Sequence, residues 1–153
     1  MRRLLRDRPW KITTNQNFNL VIRGCANVRR NGQDGTWITD EILEAYTALH
    51  QTGHAHSVEV WDGDILIAGL YGIISGSIFC GESMFNTISN ASKYAFILFA
   101  QYLFSQGCTL IDCQQDTAHL RSLGSILLDK EEFWEELQAN IFVQNIEINY
   151  PTE

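Results

Sequence analysis

The sequence predicts an α+β fold in one domain, a mixed and mostly antiparallel sheet flanked by helices. Three observations predict it. The 153 residues lie within the roughly 100–200 of a usual single domain. Apolar residues make up 45% of the chain, enough for a core. The order of patterns is helical periodicity first, then apolar or alternating runs separated by turn signals, a long helix, and one more short apolar run.

Arg2 to Arg8 reads as a short basic helix ended by Pro9, because proline disfavours helix in the residue before it. No apolar h-region follows, so this start is not read as a signal peptide. Trp10 to Thr14 alternates and is rich in β-formers. Phe18, Val21, Ile22 and Cys25 recur at helical spacing and predict a helix over about 15–26, followed by a polar loop from Arg29 to Gly35. Thr39 is a good N-cap for a helix through Ile42, Leu43, Tyr46, Leu49 and His50, closed by Gly53. Ser57 to Trp61 alternates as a strand. Asp62-Gly63 is a hairpin turn signal, and Asp64 to Ser75 is apolar on both faces, as a central strand is. A further strand is expected from Gly76 to Glu82.

Ser89 or Asn90 can cap a helix ending near Gly107, with Ala91, Ala95, Phe96, Phe99, Ala100 and Leu103 inward. Thr109 to Asp112 is a short strand, Ser122 to Ile126 a turn, and Lys130 to Gln138 a helix. Residues 1–138 form the expected domain and 139–153 a C-terminal tail, loosely ordered from Asn145. No run of about 18 uncharged apolar residues occurs, so a membrane span is not expected. The apolar run Ile65 to Phe79 is broken by Gly69, Gly72 and Gly76 and reads as buried strand.

The four cysteines, Cys25, Cys80, Cys108 and Cys113, form no C-x-x-C pair and read as reduced thiols of a cytoplasmic protein. No metal site is expected, since ligand pairs at zinc spacing are absent. Net charge is −7, yet residues 1–30 hold eight of the eleven basic side chains and one acid, Asp7. Such asymmetry fits a polyanion-binding edge on an acidic body, or a solvated helical face.

Three polar groups stand where apolar strands end: Glu82, Asp112 and Gln114. Carboxylates are seldom buried without partners, so these either line a hydrogen-bonded cleft or act as structural strand-end residues. Large apolar side chains are available around them, in Leu70, Phe79, Met84, Phe85, Phe96 and Phe99, as a pocket or as plain core. Neither G-x-x-x-x-G-K-[ST] nor G-x-G-x-x-G occurs. Cys113 with His119 is weak support for a nucleophile.

Six blocks carry a resemblance: Ala45 to Trp61, Gly69-Leu70-Tyr71-Gly72, Phe79-Cys80-Gly81-Glu82-Ser83-Met84-Phe85, Asn90-Ala91-Ser92-Lys93, Leu110-Ile111-Asp112-Cys113-Gln114, and His119 to Gly124. In order and spacing they resemble the leucyl/phenylalanyl-tRNA–protein transferases over about residues 1–138. The resemblance implies a GNAT-like domain. It implies an aminoacyltransferase that moves Leu or Phe, with Met as a further donor, from aminoacyl-tRNA to proteins beginning with Lys or Arg, marking them for degradation. Asp112 and Gln114 match the catalytic pair, Gln114 handling a proton of the acceptor amine and Asp112 polarising it. Glu82 would bind polar groups of the aminoacyl end. Leu70, Phe79, Ser83, Met84, Phe96, Phe99 and Ile111 match substrate-binding positions, and Trp37 borders them. Arg2, Arg3, Arg6, Arg8 and Lys11 would contact tRNA phosphates. No pantetheine-binding loop is visible, so no cofactor is expected. The partners implied are charged tRNA and acceptor protein, with the chain a monomer.

Two departures stand out. Relatives carry an additional N-terminal domain before the basic helix, and Leu128-Asp129-Lys130 stands where they tend to have Pro-Arg. A non-catalytic module binding tRNA or N-terminal peptide residues therefore remains an alternative, as does an acyltransferase with another aminoacyl donor.

Overall fold

The computed structural model describes residues 1–28 and 36–151; the expected loop from Arg29 to Gly35 lies outside them. The described elements are α1 (Arg2–Asp7), β1 (Lys11–Thr14), α2 (Phe18–Ala26), α3 (Asp40–Gln51), β2 (Ala55–Asp62), β3 (Ile65–Ser75), β4 (Ile78–Asn86), α4 (Ala91–Ser105), β5 (Leu110–Asp112), α5 (Ala118–Arg121) and α6 (Lys130–Asn140). The strands form one sheet in the order β1-β2-β3-β4-β5. Pairing is antiparallel from β1 to β4 and parallel between β4 and β5. The α+β class and the mixed, mostly antiparallel sheet are as the sequence predicts.

Each face of the sheet carries helices, because β3 is apolar on both sides. On one face Val58, Val60, Leu70, Ile74 and Phe79 pack under Ala91, Tyr94, Ala95 and Phe99 of α4. On the other, Tyr71 and Phe85 pack under Phe18, Val21 and Ile22 of α2 and the inner side of α3. Gly24 and Gly69 let α2 close on the sheet: a Cβ on Gly24 would stand 2.6 Å from the Phe85 ring.

Beneath α2, the fully buried Glu59 accepts from Thr13 Oγ1 and Ser57 Oγ, both at 2.6 Å, and from the Asn17 backbone N–H at 3.3 Å. The carboxylate thus ties β1, β2 and the start of α2 together, since a buried carboxylate needs its lone pairs filled.

Several boundaries differ from expectation. The β2–β3 turn is Gly63-Asp64, one residue later than read, with Gly63 at φ +59. Gly76 and Ser77 form the β3–β4 turn, so β4 starts at Ile78 and runs on to Asn86. Asn90 holds the N-cap position of α4 at φ +67 but makes no side-chain cap bond. The helix α5 was not foreseen; its Thr117 cap accepts from the Leu120 N–H at 3.2 Å.

The expectation of a loose tail from Asn145 is corrected for the described residues. Asn145 Oδ1 accepts from the Gly76 N–H at 2.7 Å, and the Ile146 N–H reaches Gly76 O at 3.1 Å. Ile148 is buried, and the Asn149 N–H donates to the Tyr102 hydroxyl at 2.8 Å. The C-terminal end of α6 closes on the same turn, where Ser77 Oγ donates to Asn140 Oδ1 at 2.9 Å. What reads in sequence as a drifting polar end is held by side-chain and backbone bonds that leave no periodic signal.

Candidate active site

The site begins where two strands part. β4 and β5 pair at three positions, Ile78–Leu110, Phe79–Ile111 and Cys80–Asp112. Beyond the last pair β5 ends, while β4 continues to Asn86. Against β3, β4 shifts register: Tyr71 pairs with Ser83 and Gly72 with Gly81, leaving Glu82 as the extra residue of a bulge. Bulges bend a strand and re-aim a side chain. Glu82 is therefore not at a strand end, as expected from sequence, but in mid-strand at a break in the ladder.

Its re-aimed carboxylate meets Tyr46 of α3. Burial and the nearby Glu82 carboxylate, which the hydroxyl hydrogen-bonds, push the Tyr46 hydroxyl up to about 12. Tyr46 stacks edge-on against Tyr71 at 5.3 Å and against Trp37 at 6.4 Å. Trp37 thus stands on the α3 face, against Tyr46, while the other apolar candidates lie on the α4 face. In the sequence Tyr46 is one member of a helical face. A tyrosine in such a stripe, with a polar tip needing a partner when buried, was the signal available.

On β5, Asp112 Oδ1 accepts from the Gln114 backbone N–H at 2.8 Å. This two-residue side-chain turn holds Gln114 at φ +60, a left-handed conformation that is uncommon outside glycine. Asp112 is half-buried and Gln114 exposed. The contact that the structure gives Asp112 is this one, to the Gln114 backbone. Burial, then the negative charges of Asp112 and Glu82, push the Cys80 thiol up to about 11. Burial and Asp112 raise the Cys113 thiol as well. A raised thiol is a poor nucleophile at neutral pH, which sets the Cys113–His119 pairing aside.

Leu70, Phe79, Met84, Phe96, Phe99 and Ile111 are brought together in one cluster beneath α4. The Phe79 and Phe99 rings meet edge-to-face at 5.2 Å. Phe79 lies over Gly72, where a Cβ would stand 2.5 Å from the ring and 2.2 Å from Cys80 O. Leu70, Phe79 and Phe99 are at most 3% exposed and form a floor. Phe96 and Ile111 stand forward of it and line, with Asp112 and Gln114, an open groove of about 900 Å³. Ser83 is buried beside Tyr71 on β3. Lys93 Nζ donates to Ser122 Oγ at 3.2 Å, which joins two of the six sequence blocks at the N-terminal end of α4.

The expected tRNA contacts sit at the opposite edge of the sheet order. Leu4 and Leu5 pack α1 onto the α4-side core, leaving Arg2 and Arg3 exposed. Asp7 accepts from Arg6 Nε at 2.8 Å and from Arg3 Nε at 3.2 Å. Arg8 closes the helix at φ 40, and Lys11 opens β1. Lys11 is level with Trp61 and Leu66, whereas Asp112 is level with Cys80 and Ile73, so the basic edge and Asp112 are offset along the strands as well as across the sheet. Among the described residues no group of acids, histidines and cysteines could hold a metal ion, and no helix is long and apolar enough to cross a membrane.

A mixed sheet whose one parallel pair, β4 with β5, adjoins α4 has the arrangement of the GNAT fold. An aminoglycoside acetyltransferase from an uncultured soil sample superposes with a TM-score of 0.54, covering 96% of this chain and 99% of that one at 13% identity. The aminoglycoside N-acetyltransferase AAC(6')-Iy gives 0.50 at 14% identity, covering 94% and 98%. At that identity the likeness is one of fold. The sequence identifies the family: the model for leucyl/phenylalanyl-tRNA protein transferase matches residues 1–138, and the chain belongs to that family. Among relatives named leucyl/phenylalanyl-tRNA--protein transferase, that of Flavobacterium johnsoniae is 50% identical over 91% of this chain and 66% of its own length. Those of Shewanella woodyi and Christiangramia forsetii are each 53% identical, over 84% and 87% of this chain and 54% and 64% of theirs. The chain thus spans between about half and two thirds of these relatives' length.

Proposed function

We propose that this chain transfers Leu or Phe, with Met as a further donor, from aminoacyl-tRNA to the α-amine of proteins beginning with Lys or Arg, which are thereby marked for degradation. The observation that carries the reading is that Asp112 and Gln114 line one groove with Phe96 and Ile111, in front of the buried floor of Leu70, Phe79 and Phe99. The amine nitrogen attacks the ester carbonyl. A C–N bond forms, the bond to the tRNA ribose oxygen breaks, the nitrogen loses a proton and the ribose oxygen takes one up. An α-amine titrates near 7.7–8.0, so a neutral fraction exists at pH 7 and no strong base is required. Gln114 orients the attacking amine, Asp112 holds the Gln114 backbone, and Glu82, Ser83 and Tyr46 bind polar groups of the aminoacyl end. Positioning of the two reactants supplies most of the rate.

The side chain of the donor rests among Met84, Phe96 and Ile111, with Leu70, Phe79 and Phe99 behind and Trp37 at the border. Discrimination among such apolar groups amounts to about 1–3 kcal/mol per methylene. Arg2, Arg3, Arg6, Arg8 and Lys11 take tRNA phosphates. Asp7 shares its carboxylate with Arg3 and Arg6, so phosphate binding must compete with it. The chain acts as a cytoplasmic monomer without a cofactor.

The second reading is a module that binds the tRNA or the basic N-terminus without transfer. Transfer of radiolabelled Leu from charged tRNA to a peptide beginning with Arg decides between them. Product from the native chain, lost with Asp112→Ala and with Gln114→Ala, is expected. Binding of tRNA in low salt without product would leave the binding module.

A further inference from the structure

The groove in front of Asp112 and Gln114 extends well past the residues that receive the aminoacyl group. At about 900 Å³ it reaches the upper end of the roughly 300–1,000 Å³ usual for ligand sites. Its far half is walled by Phe104 of α4, by Ile126 and Leu127 after α5, and by Phe133 of α6. Phe104, Ile126 and Leu127 are 54%, 80% and 73% exposed. Large apolar side chains gathered and exposed along a concave surface mark a surface made for contact.

The charge along this groove is of one sign. Glu132, Glu135 and Glu136 line it. Asp116, also on its wall, is neutralised by the guanidinium of Arg121. Glu132 closes the capping box with Asp129, and Glu136 accepts from Asn140 at 3.1 Å. Glu135 has no hydrogen-bond or ion-pair partner among the described residues and stands exposed. A polyanion is repelled by such a wall, whereas a cationic chain with apolar side chains is drawn along it. The basic helix α1 belongs to the other edge of the sheet, beyond β1. The two edges thus carry opposite charge, with Asp112 and Gln114 at the inner end of the acidic groove.

We propose that the groove between α4, α5 and α6 is the docking path of the acceptor polypeptide beyond its reactive amine, and that it selects segments combining cationic and apolar residues. The proposal rests on the transferase reading above and adds the acceptor's path to it. The acceptor enters along α6 and places its amine at Gln114, while the RNA approaches from α1.

The test is a titration of the isotope-labelled native chain with the peptide Arg-Leu-Phe-Lys-Gly-Gly, reading backbone amide shifts up to millimolar peptide. Shifts concentrated on residues 126–136 and at Gln114 are expected. Glu135→Lys combined with Leu127→Ser, both at exposed positions, should weaken peptide binding about tenfold and leave tRNA binding as tight or tighter. A thermal melt of the variant checks that it is folded. Peptide shifts that avoid α6, no shifts at all, or unchanged affinity in the folded double variant would each overturn the path. Groove amides that move with protein concentration alone would assign the groove to a second copy, and would overturn it too. Leu transfer is measured in parallel. Transfer whose KM for peptide ignores the double variant sinks the path alone; peptide held in the groove with no transfer sinks the enzymatic reading alone.

Discussion

Replacing Gln114 by glycine should move stability and activity in opposite directions. Gln114 sits at φ +60, and the left-handed region costs an L-residue about 1–2 kcal/mol. The Gln114 N–H donates to the Asp112 carboxylate at 2.8 Å, an exposed bond that offsets about 1 kcal/mol of that cost. Glycine removes the strain and keeps the bond, but its freer unfolded chain takes back about 0.5–1 kcal/mol. The net gain is about 0.5–1 kcal/mol, or roughly 1–4 °C in Tm for a chain of this size. Transfer should fall about 100-fold with the amide gone. Asp112→Ala should do the reverse to stability, lowering Tm by about 2–4 °C through loss of that bond, and should also lower transfer. Thermal melts followed by circular dichroism, beside single-turnover transfer, read both quantities. A glycine variant that melts lower than the native chain, or that still transfers, would refute the view that Asp112 holds Gln114 in a strained pose for its side chain.

Three further outcomes are expected. Glu59→Ala should cost about 3 kcal/mol, because it strands two hydroxyls and an N–H that converge on one buried carboxylate; urea unfolding measures it, and a loss under 1 kcal/mol would show the network to be slack. Burial lowers the pKa of His56, whose Nδ1 faces the Asn15 amide while Nε2 faces Gly53 O. With the folded value depressed, the unfolded chain protonates first. This contribution is present above the unfolded value near 6.5, is lost as pH falls through the folded value, and should be absent from urea titrations of His56→Gln at pH 7.5 and 5.5. Gly76→Ala should cost more than about 2 kcal/mol, since a Cβ there would stand 1.9 Å from Asn140 O at φ +59; hydrogen exchange should rise first at the end of α6 and at Ile146, and unchanged exchange would show that the turn does not hold the tail.

Most of the fold was legible because its signals are local. Thr39 caps α3 and Gly53 closes it, as their chemistry demands. The two-faced apolar run of β3 announces a central strand flanked by helices. What was not legible depends on partners far along the chain. The course of 142–150 is fixed by Asn145 and Ile146 against Gly76, and by Asn149 against Tyr102. None of these bonds repeats with a period. The end of β4 was misplaced for a related reason: Gly81-Glu82-Ser83 looks like the polar close of a strand, and only its pairing with β3 shows that the strand continues.

That misplacement bears directly on the site. A carboxylate at a strand end would face solvent and need no explanation. A carboxylate at a bulge in mid-strand is held out of the alternation of its neighbours, with Phe79 and Met84 in the α4-side cluster while Glu82 meets Tyr46 on the α3 side. β4 therefore presents apolar surface to one helix layer and a hydrogen-bonding group to the other within six residues. Asp112 pairs with Cys80, two residues before Glu82, at the last position that β5 shares with β4. Residue types alone could nominate Glu82, Asp112 and Gln114, but not the reason the fold sets each where it does. That reason is topological: one register shift and one short parallel strand, each costing ladder hydrogen bonds that a sheet built for stability alone would keep. The acidic groove lies along β5 and the residues that follow it, Thr109 to Asp116, with α4 and α6 as its walls.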